Sequence, residues 1–447
     1  WGTFPSVNLA WRFSEENFIK NSLPWIENGK IRASWGILGN DGIGQFLYAK
    51  AYEGAVLYNW GGNGTSIGWG NYKITNEKIK WEEVHQTDLG IDLTFLKGKL
   101  TFVYDYYNRQ TKNMLYWRTL PMGAGLGYYD NQNATMPINI GKVQNIGHEF
   151  TINWNDKIRD FKYSVGLNVS FNKNKVLDLG IEGATLTDGD YNRTESGKAM
   201  GLLYGYKAIG IFQNQEQVDS YNAKAQAAGQ PYYFRPQTGP GDIIYDDMGR
   251  GYVSGASQTY IGDPWPDMFL GLNLSAEWKG FDLTAMFSGA FGFDIYNALK
   301  PRTQQFFGDE NTTKDIYNTS FFGNNGVTNQ PRPGMWIDDT YISDASLGLN
   351  YYTISSFWVE KGDYLKLKDL TIGYTLPKKT LKKLNLNKLR VYFTANNLFT
   401  ITSYSGLDPE IGGTSTTGSG SVRQRGVETL GRYLPSKQYA IGLDITF

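Results

Sequence analysis

Apolar and polar residues alternate along many short segments of this chain, and strict alternation predicts β-strands. From Leu89 to Phe95 the odd-numbered residues are Leu, Ile, Leu and Phe, whereas the even-numbered ones are Gly, Asp and Thr. The alternation resumes from Leu100 to Tyr106, after a short turn at Lys97-Gly98. Two such strands joined by so short a turn are typical of an antiparallel β-hairpin.

The pattern predicts eleven strands along the chain. They are Val7–Phe13, Ile31–Ile37, Leu89–Phe95, Leu100–Tyr106, Phe150–Trp154, Phe161–Phe171, Leu270–Trp278, Phe281–Phe287, Tyr364–Leu376, Leu389–Leu398 and Lys437–Phe447. A turn is predicted over Asn155–Asp160. The apolar positions shift by one residue between Leu367 and Leu370, so we expect a β-bulge there.

The connections between these strands alternate between short turns and long loops. The long ones span about residues 40–80, 111–141, 173–267, 290–362 and 402–435. Short turns on one side and long loops on the other are the pattern of an outer-membrane β-barrel, whose long loops lie outside the cell. A soluble sandwich or propeller would explain the alternation but not such long loops on one side only.

The two faces of the predicted strands differ in charge. The charged residues that fall opposite the apolar face are Asp92, Asp105, Glu149, Lys162, Glu277, Asp282, Arg390 and Asp444. A basic residue facing lipid at mid-bilayer costs about 2–4 kcal/mol, whereas a wet lumen tolerates it. We therefore predict an all-β fold, a transmembrane antiparallel β-barrel with about 11 strands here. Because an open sheet edge is untenable in lipid, further strands have to close it.

Composition narrows the function classes. The 447 residues include 15% aromatic residues and no cysteine, and the formal net charge is zero. The missing cysteines exclude disulfides and thiolate chemistry, and the balanced charge offers no field that would attract nucleic acid. No stretch approaches the roughly 20 apolar residues of a membrane-spanning helix. The chain starts within a strand and without Met, so we expect a fragment of a longer protein.

The last strand keeps its alternation up to the final residue. Its apolar positions are Tyr439, Ile441, Leu443, Ile445 and Phe447. This strand resembles the signal by which the outer-membrane assembly machinery recognises barrel substrates.

Five segments resemble the SusC/RagA family of TonB-dependent outer-membrane transporters. They are FPSVNLAWRFSEENF (4–18), NGKIRASWGILGN (28–40), IGDPWPDMFLGLNLSAEWKGFDLTAMFSGAFGFDIYN (261–297), KGDYLKLKDLTIGYTLP (361–377) and LRVYFTANNLFTITSYSGLDPE (389–410). Because they run from the first strand to the last, the resemblance covers the whole chain. It implies a 22-stranded barrel of which residues 1–447 form the C-terminal half, with the N-terminal plug and the first barrel half outside this chain.

The resemblance also implies a function. Members of the family import oligosaccharides or oligopeptides across the bacterial outer membrane, without cofactors and without chemistry on the substrate. A SusD-like surface lipoprotein caps the barrel as a lid, TonB contacts a segment N-terminal to this chain, and such transporter–lid pairs commonly dimerise. The alternatives are a siderophore or cobalamin receptor without a lid, and an outer-membrane barrel enzyme or adhesin.

Metal and catalytic sites find little support in the sequence. At GDIIYDDMGRGYVSG (241–255) many relatives carry a run resembling D-x-N-x-D-G, with the oxygen spacing of a calcium loop. Here Asp247 is kept, but glycines replace two other ligand positions, and only Asp242 and Asp246 could compensate. His85 and His148 stand apart, so we predict no metal and no catalytic residue.

Loop aromatic residues are the predicted candidates for substrate contact, because flat rings suit apolar sugar faces and peptide side chains. They are Trp60, Trp69, Tyr128, Tyr129, Tyr232, Tyr233, Trp265, Trp336 and Trp358. The alternative is that many of them hold the long loops together or pack against the lid protein.

Gln215–Ala228 is predicted to form a short loop helix that stops at Gly229 and Pro231. A lysine-rich segment after Leu376 (378–388) is predicted to be a solvated periplasmic turn, with a contact to TonB as the alternative.

Overall fold

The computed structural model describes most of the chain. The described residues are 2–42, 47–49, 53–59, 64–70, 75–120, 135–305, 311–319, 329–337, 340–343, 348–383, 385–412, 423–430 and 433–447. Among them, no helix is both long and apolar enough to cross a bilayer.

Eleven strands form one sheet whose hydrogen-bonding order follows the sequence, so each strand lies beside the one before it. The strands are β1 (Ser6–Trp11), β2 (Ile26–Asn40), β3 (Glu82–Phe95), β4 (Leu100–Lys112), β5 (Lys142–Ile158), β6 (Phe161–Asp178), β7 (Met268–Trp278), β8 (Phe281–Phe291), β9 (Tyr364–Thr375), β10 (Lys388–Thr402) and β11 (Gln438–Thr446). The predicted number, order and approximate positions of the strands are confirmed.

Several strands are longer than the alternation predicts. β5 and β6 extend to 17 and 18 residues, more than the 9–11 that cross a bilayer. β5 continues to Ile158, so the turn predicted over Asn155–Asp160 shrinks to Arg159 and Asp160. Arg159 adopts a left-handed conformation with φ of 56°, which suits a tight hairpin turn.

The predicted bulge lies on β9. Its pairing with β8 runs from Leu367, opposite Phe287, directly to Asp369, opposite Met286, and leaves Lys368 without a partner in the register. The register with β10 shifts at the same point. The bulge is confirmed, and it explains why the apolar positions of this strand change parity.

The chain divides into two compact units. The first comprises Trp1–Phe150, Asn172–Thr185 and Glu195–Lys198. Besides strands of the eleven-stranded sheet, which we call the wall strands, it holds helix α1 (Asn17–Ser22) and two loop hairpins. These hairpins pair Glu53–Asn59 with Thr65–Gly70 and Leu115–Thr119 with Thr135–Asn139.

The second unit comprises Thr151–Phe171, Leu186–Thr194 and Ala199–Phe447. Its loops contain helices α2 (Gln215–Ala227), α3 (Lys300–Thr303), α4 (Lys314–Thr319) and, in a short turn, α5 (Lys378–Lys383). The lysine-rich turn is therefore partly helical. Its lysines are exposed as predicted, and Leu381 anchors the turn inward.

Short strands in the loops of the second unit pair into small sheets. Leu202–Tyr206 lies beside Asn192–Glu195 and Gln258–Gly262, and Ala208–Ile211 pairs with Ile243–Tyr245. Asp294–Asn297 pairs with Val359–Lys361 and with Val427–Glu428. The remaining ones are Thr185–Asp188 and the hairpin of Gly334–Ile337 with Thr340–Ser343.

Helix α2 confirms the prediction to within one residue. The Asn214 side chain caps it by accepting a hydrogen bond from the Gln217 amide at 2.9 Å, and Gly229 follows its end with φ of 79°. The helix buries Val218 and Ala225 against Phe212, Tyr233 and Tyr245.

A second cluster joins Leu203, Tyr296, Tyr351, Trp358 and Val427. The long loops of this unit thus have hydrophobic cores of their own. We call them together the loop body.

Candidate substrate-facing site

The first unit separates apolar from charged residues on opposite faces of its wall strands. Leu9, Trp35 and Leu89 are large apolar residues left exposed on one face. On the other face the Arg32 guanidinium lies 2.7 Å from Asp92 and 2.9 Å from Asp105. Paired charges on one face, opposite a face with exposed large apolar residues, are what a wall between lipid and water requires.

Gly90 makes this charge cluster possible. Arg32 and Asp105 lie directly opposite Gly90 on the two neighbouring strands. A Cβ at Gly90 would come 2.5 Å from an Asp105 oxygen and 2.6 Å from Arg32 Nη2. Only glycine therefore allows the ion pair to bridge the strand between its partners.

The second unit uses the same device. Arg390 on β10 reaches across β9 to Asp282 on β8 at 2.5 Å, and also lies 3.3 Å from Asp444 on β11. A Cβ at the intervening Gly373 would lie 2.6 Å from both Arg390 and Asp282. The opposite face of these strands carries Ile372, Phe393 and the apolar residues of β11.

The predicted assembly residues of β11 all lie on this apolar face. Tyr439, Ile441, Leu443, Ile445 and Phe447 are between 47% and 86% exposed. Large apolar side chains left this open mark a surface that contacts an apolar environment. The structure thus gives them the position expected of a lipid-facing strand.

A buried ion pair holds the loop body together. Arg332 donates two hydrogen bonds of 2.6 Å to the two oxygens of Asp242. Asp242 also accepts from Asn350 Nδ2 at 2.9 Å and from the Gly239 amide at 2.8 Å. Both partners are buried, and the extra hydrogen bonds offset part of the cost of desolvating them.

The residues considered as metal ligands are thus engaged in protein contacts. Asp242 has both oxygens occupied by Arg332 and its neighbours. Asp246 accepts from the Met248 amide and lies 3.5 Å from Lys207, and Asp247 accepts from the Gly249 amide. Within the described residues, no group of three or more His, Cys, Asp or Glu could hold a metal ion.

Carboxylates also tie neighbouring loop segments together. Glu360 accepts hydrogen bonds from the amide and hydroxyl of Ser405 at 2.9 and 2.7 Å, and from Asn297 at 3.1 Å. Lys300 lies 3.3 Å away. Burial alone would raise the pKa of Glu360, but the hydrogen bonds from Ser405 and the charge of Lys300 outweigh it and hold the pKa below its usual value.

Two of the predicted substrate contacts are packed in the loop body. Trp358 is fully buried, donates to the Asn350 carbonyl and packs on Tyr351. Tyr233 is 2% exposed, and its hydroxyl donates to the Tyr245 carbonyl at 2.6 Å. Burial raises the pKa of Tyr233. Both rings fill a core and leave no face for a ligand in this structure.

The other predicted aromatic contacts differ in placement. Tyr232 is 43% exposed, and Trp265 is half-buried. Trp60, Tyr128 and Tyr129 lie outside the described residues. Trp69 and Trp336 lie on described strands, but their side chains are not among the described parts of the structure.

The structure adds two arginine–aromatic contacts that the sequence pattern does not predict. The Arg425 guanidinium carbon lies 4.8 Å from the centre of the Trp265 ring, and that of Arg193 lies 4.4 Å from the Tyr204 ring. Each arginine also buries its Nε atom without a hydrogen bond to any described residue. No local sequence pattern marks Arg425 and Trp265 as neighbours, because they are far apart along the chain.

Comparison with known proteins agrees with this geometry, although no protein-family model matches the chain. TonB-dependent receptor P3 of Formosa agariphila is 31% identical over 99% of the chain and 42% of its own length. TonB-dependent receptor SusC of Bacteroides thetaiotaomicron is 28% identical over 92% of the chain and 38% of its own length. The chain therefore spans about two fifths of the curated relatives that it matches.

Over nearly its whole length the chain is similar to TonB-dependent receptors, SusC among them. Among solved structures, the RagAB peptide importer in its open-open state matches with a TM-score of 0.74 and 21% identity, over 99% of the chain and 42% of that protein. A likeness at this identity shows the fold. The eleven strands are thus part of an outer-membrane β-barrel, and the SusC/RagA resemblance and the outer-membrane location are confirmed.

Proposed function

We propose that this SusC/RagA-type chain is the C-terminal barrel part of an importer. It takes up oligomeric nutrients, oligosaccharides or oligopeptides, across the outer membrane with energy delivered through TonB. The observation that carries the proposal is the division of the wall strands into an exposed apolar face and a face of paired charges. Such a wall encloses a polar path through lipid, and the relatives named above are receptors of this kind.

A SusD-like surface lipoprotein is proposed as the partner that covers the extracellular side. The loops of the second unit fold into a body with a buried ion pair and its own hydrophobic clusters. A preformed surface binds a partner at a lower entropic cost than flexible loops would. The likeness to SusC and to the fold of RagAB also supports a lid. Dimerisation of transporter–lid pairs remains part of the proposal.

The substrate is proposed to be bound and moved without chemical change. Of the predicted aromatic contacts whose side chains are described, Tyr232 and Trp265 keep accessible ring surface, and they are the proposed contacts. A siderophore or cobalamin receptor would work without the lipoprotein, whereas a barrel enzyme or adhesin would not depend on TonB.

Deletion of the gene tests the proposal. We expect loss of growth on one class of oligomeric nutrient while extracellular hydrolysis of that nutrient continues, together with copurification of a surface lipoprotein in mild detergent. A TonB deletion should give the same growth defect. Normal growth on every oligomer tested but failure on iron or cobalamin would contradict oligomer import, and loss of extracellular hydrolysis would indicate an enzyme.

A further inference from the structure

Arg425 carries a positive charge that the described residues leave without a partner. No carboxylate lies within ion-pair distance of its guanidinium among them, and its buried Nε makes no hydrogen bond to them. Burial lowers the pKa of Arg425. Some other cations of the loop body have acidic partners, for example Arg332 with Asp242 and Lys361 with Asp294. A partly desolvated, unpaired charge is unfavourable unless something else completes it.

The backbone at Arg425 and at the two residues that follow it is held in place by several contacts. Its carbonyl accepts a hydrogen bond from the buried Asn192 side chain at 3.0 Å. The next residue, Gly426, lies so close to Pro264 that a Cβ would be 2.3 Å away. Val427 then pairs with Tyr296. The arginine is therefore presented by a rigid segment.

Trp265 is fixed as well, and it supports one side of the guanidinium. Its Nε1 donates to the Met200 carbonyl at 2.6 Å, and its amide donates to Asp263 at 2.9 Å. The residues on either side, Pro264 and Pro266, are buried. An arginine stacked on an aromatic ring keeps its hydrogen-bonding edge available for a planar, two-pronged acceptor.

We propose that Arg425, held on Trp265, binds an oxyanion of the imported oligomer, a carboxylate or a sulfate ester. Two parallel N–H donors match the oxygens of such a group, and a charged acceptor makes the hydrogen bonds strong. This inference rests on the proposed import function and assigns it a substrate class, namely anionic oligomers. Trp265 acts as the platform that orients the guanidinium.

Matched pairs of probes test the inference by isothermal titration calorimetry on the complete receptor in detergent. The pairs are hexagalacturonate and its methyl ester, hexa-alanine and its C-terminal amide, and sulfated and unsulfated maltohexaose. We expect the anionic member of at least one pair to bind the wild type about tenfold more tightly than its neutral partner, as a charge-assisted bidentate contact allows. The responding pair shows whether the oxyanion comes from an acidic glycan, a peptide or a sulfated glycan.

Three variants decide whether Arg425 is responsible. Arg425→Gln should bring the anionic-to-neutral affinity ratio close to one. Arg425→Lys should keep part of this preference for the anionic probe, because lysine retains the positive charge but lacks the planar guanidinium with its two parallel N–H donors. Lys361→Gln removes a cation of the same unit that Asp294 already pairs, so the ratio should stay at its wild-type value. Each variant must show the wild-type heat-dependent shift in gel mobility, which reports a folded barrel.

The outcomes separate this inference from the import proposal. Equal affinities for both members of every pair, no binding of any anionic member to the wild type, or a ratio unchanged in Arg425→Gln would each overturn the inference. Uptake of a neutral oligomer that depends on TonB would leave import standing in those cases. Absence of any TonB-dependent oligomer uptake would instead remove the import proposal itself.

Discussion

Glycine at position 373 is required by the ion pair that crosses it. Replacing it with valine places side-chain atoms where Arg390 and Asp282 lie, since a Cβ alone would be 2.6 Å from each. We expect Gly373→Val to break this pair and lower the free energy of unfolding by about 1–3 kcal/mol. Urea unfolding of the purified protein in detergent, followed by tryptophan fluorescence, measures the change.

Gly271 offers the matched control for this prediction. It lies on the wall strand β7, and a Cβ there would meet its nearest atoms at an ordinary 3.7 Å. Gly271→Ala should therefore leave the unfolding midpoint nearly unchanged. An equal loss of stability in both variants would show that the strand glycines matter for backbone flexibility and not for the charge pair.

Asp242 should be far more sensitive to replacement than an exposed ion-pair partner. Asp242→Ala leaves Arg332 buried and uncompensated, which typically costs about 3–5 kcal/mol. Lys361→Gln breaks a pair whose lysine is 70% exposed, and such pairs contribute at most about 1 kcal/mol. Limited proteolysis should cut the loop body faster in Asp242→Ala only. Similar cutting rates in the two variants would contradict a structural role for the buried pair.

The roles of single residues were the hardest part to predict from the sequence. Trp358, Tyr233 and Trp265 are all loop aromatics, yet the first two fill a core and the third keeps part of its ring accessible. Alternation reports burial only within regular strands, and loop aromatics carry no such period. The Arg425–Trp265 contact joins distant segments, so no local pattern reveals it.

At the scale of elements, the wall strands could be predicted almost completely. The signals that predict them and helix α2 are local in the sequence. They are the alternation of apolar and polar residues, the one-residue shift of that alternation at the β9 bulge, and the cap and stop residues of helix α2. The small loop sheets were not predicted. Asp294–Asn297, for example, is a four-residue strand whose partners are Val359–Lys361 and Val427–Glu428. Strands this short, paired with distant segments, leave too few residues for a recognisable period.

The contact between the loop after β10 and the strand Val359–Lys361 should loosen in acid. Because the pKa of Glu360 is held below its usual value of 4.5, its stabilising contribution is complete above that pH. It is lost as the pH falls through the lowered pKa and the carboxylate is protonated. We expect hydrogen exchange at the Ser405 amide to accelerate, relative to intrinsic rates, below about pH 4.5.

Glu360→Gln provides the control for this pH dependence. The amide cannot titrate, so the protection of Ser405 should be weaker at pH 7 and should no longer change across the acidic range. If the wild type and the variant lost protection in parallel on acidification, another carboxylate would control this contact. Lys361→Gln, which leaves the Glu360 contacts in place, should keep the wild-type profile.

At the scale of the whole molecule, the strands of the large sheet and the loops of the second unit serve different purposes. The wall strands suit a lipid bilayer, because one face carries exposed apolar residues and the other carries charged residues in ion pairs. The loops of the second unit are held by their own hydrophobic clusters and by a buried ion pair, which suits the proposed binding of a lid protein and a substrate. The likeness to TonB-dependent receptors extends over both parts, since it covers 99% of the chain.

The lipid-facing assignment of β11 predicts opposite outcomes for the same charge on its two faces. Ile441 is 79% exposed on the apolar face, and an arginine there should cost about 2–4 kcal/mol if the position lies near mid-bilayer. Gln438 points to the charged face and is similar in length to arginine, so Gln438→Arg should assemble normally. Ile441→Gln separates loss of apolar surface from addition of charge and should have an intermediate effect. The yield of heat-modifiable protein in the outer membrane measures all three, and normal assembly of Ile441→Arg would rule out a lipid-facing β11.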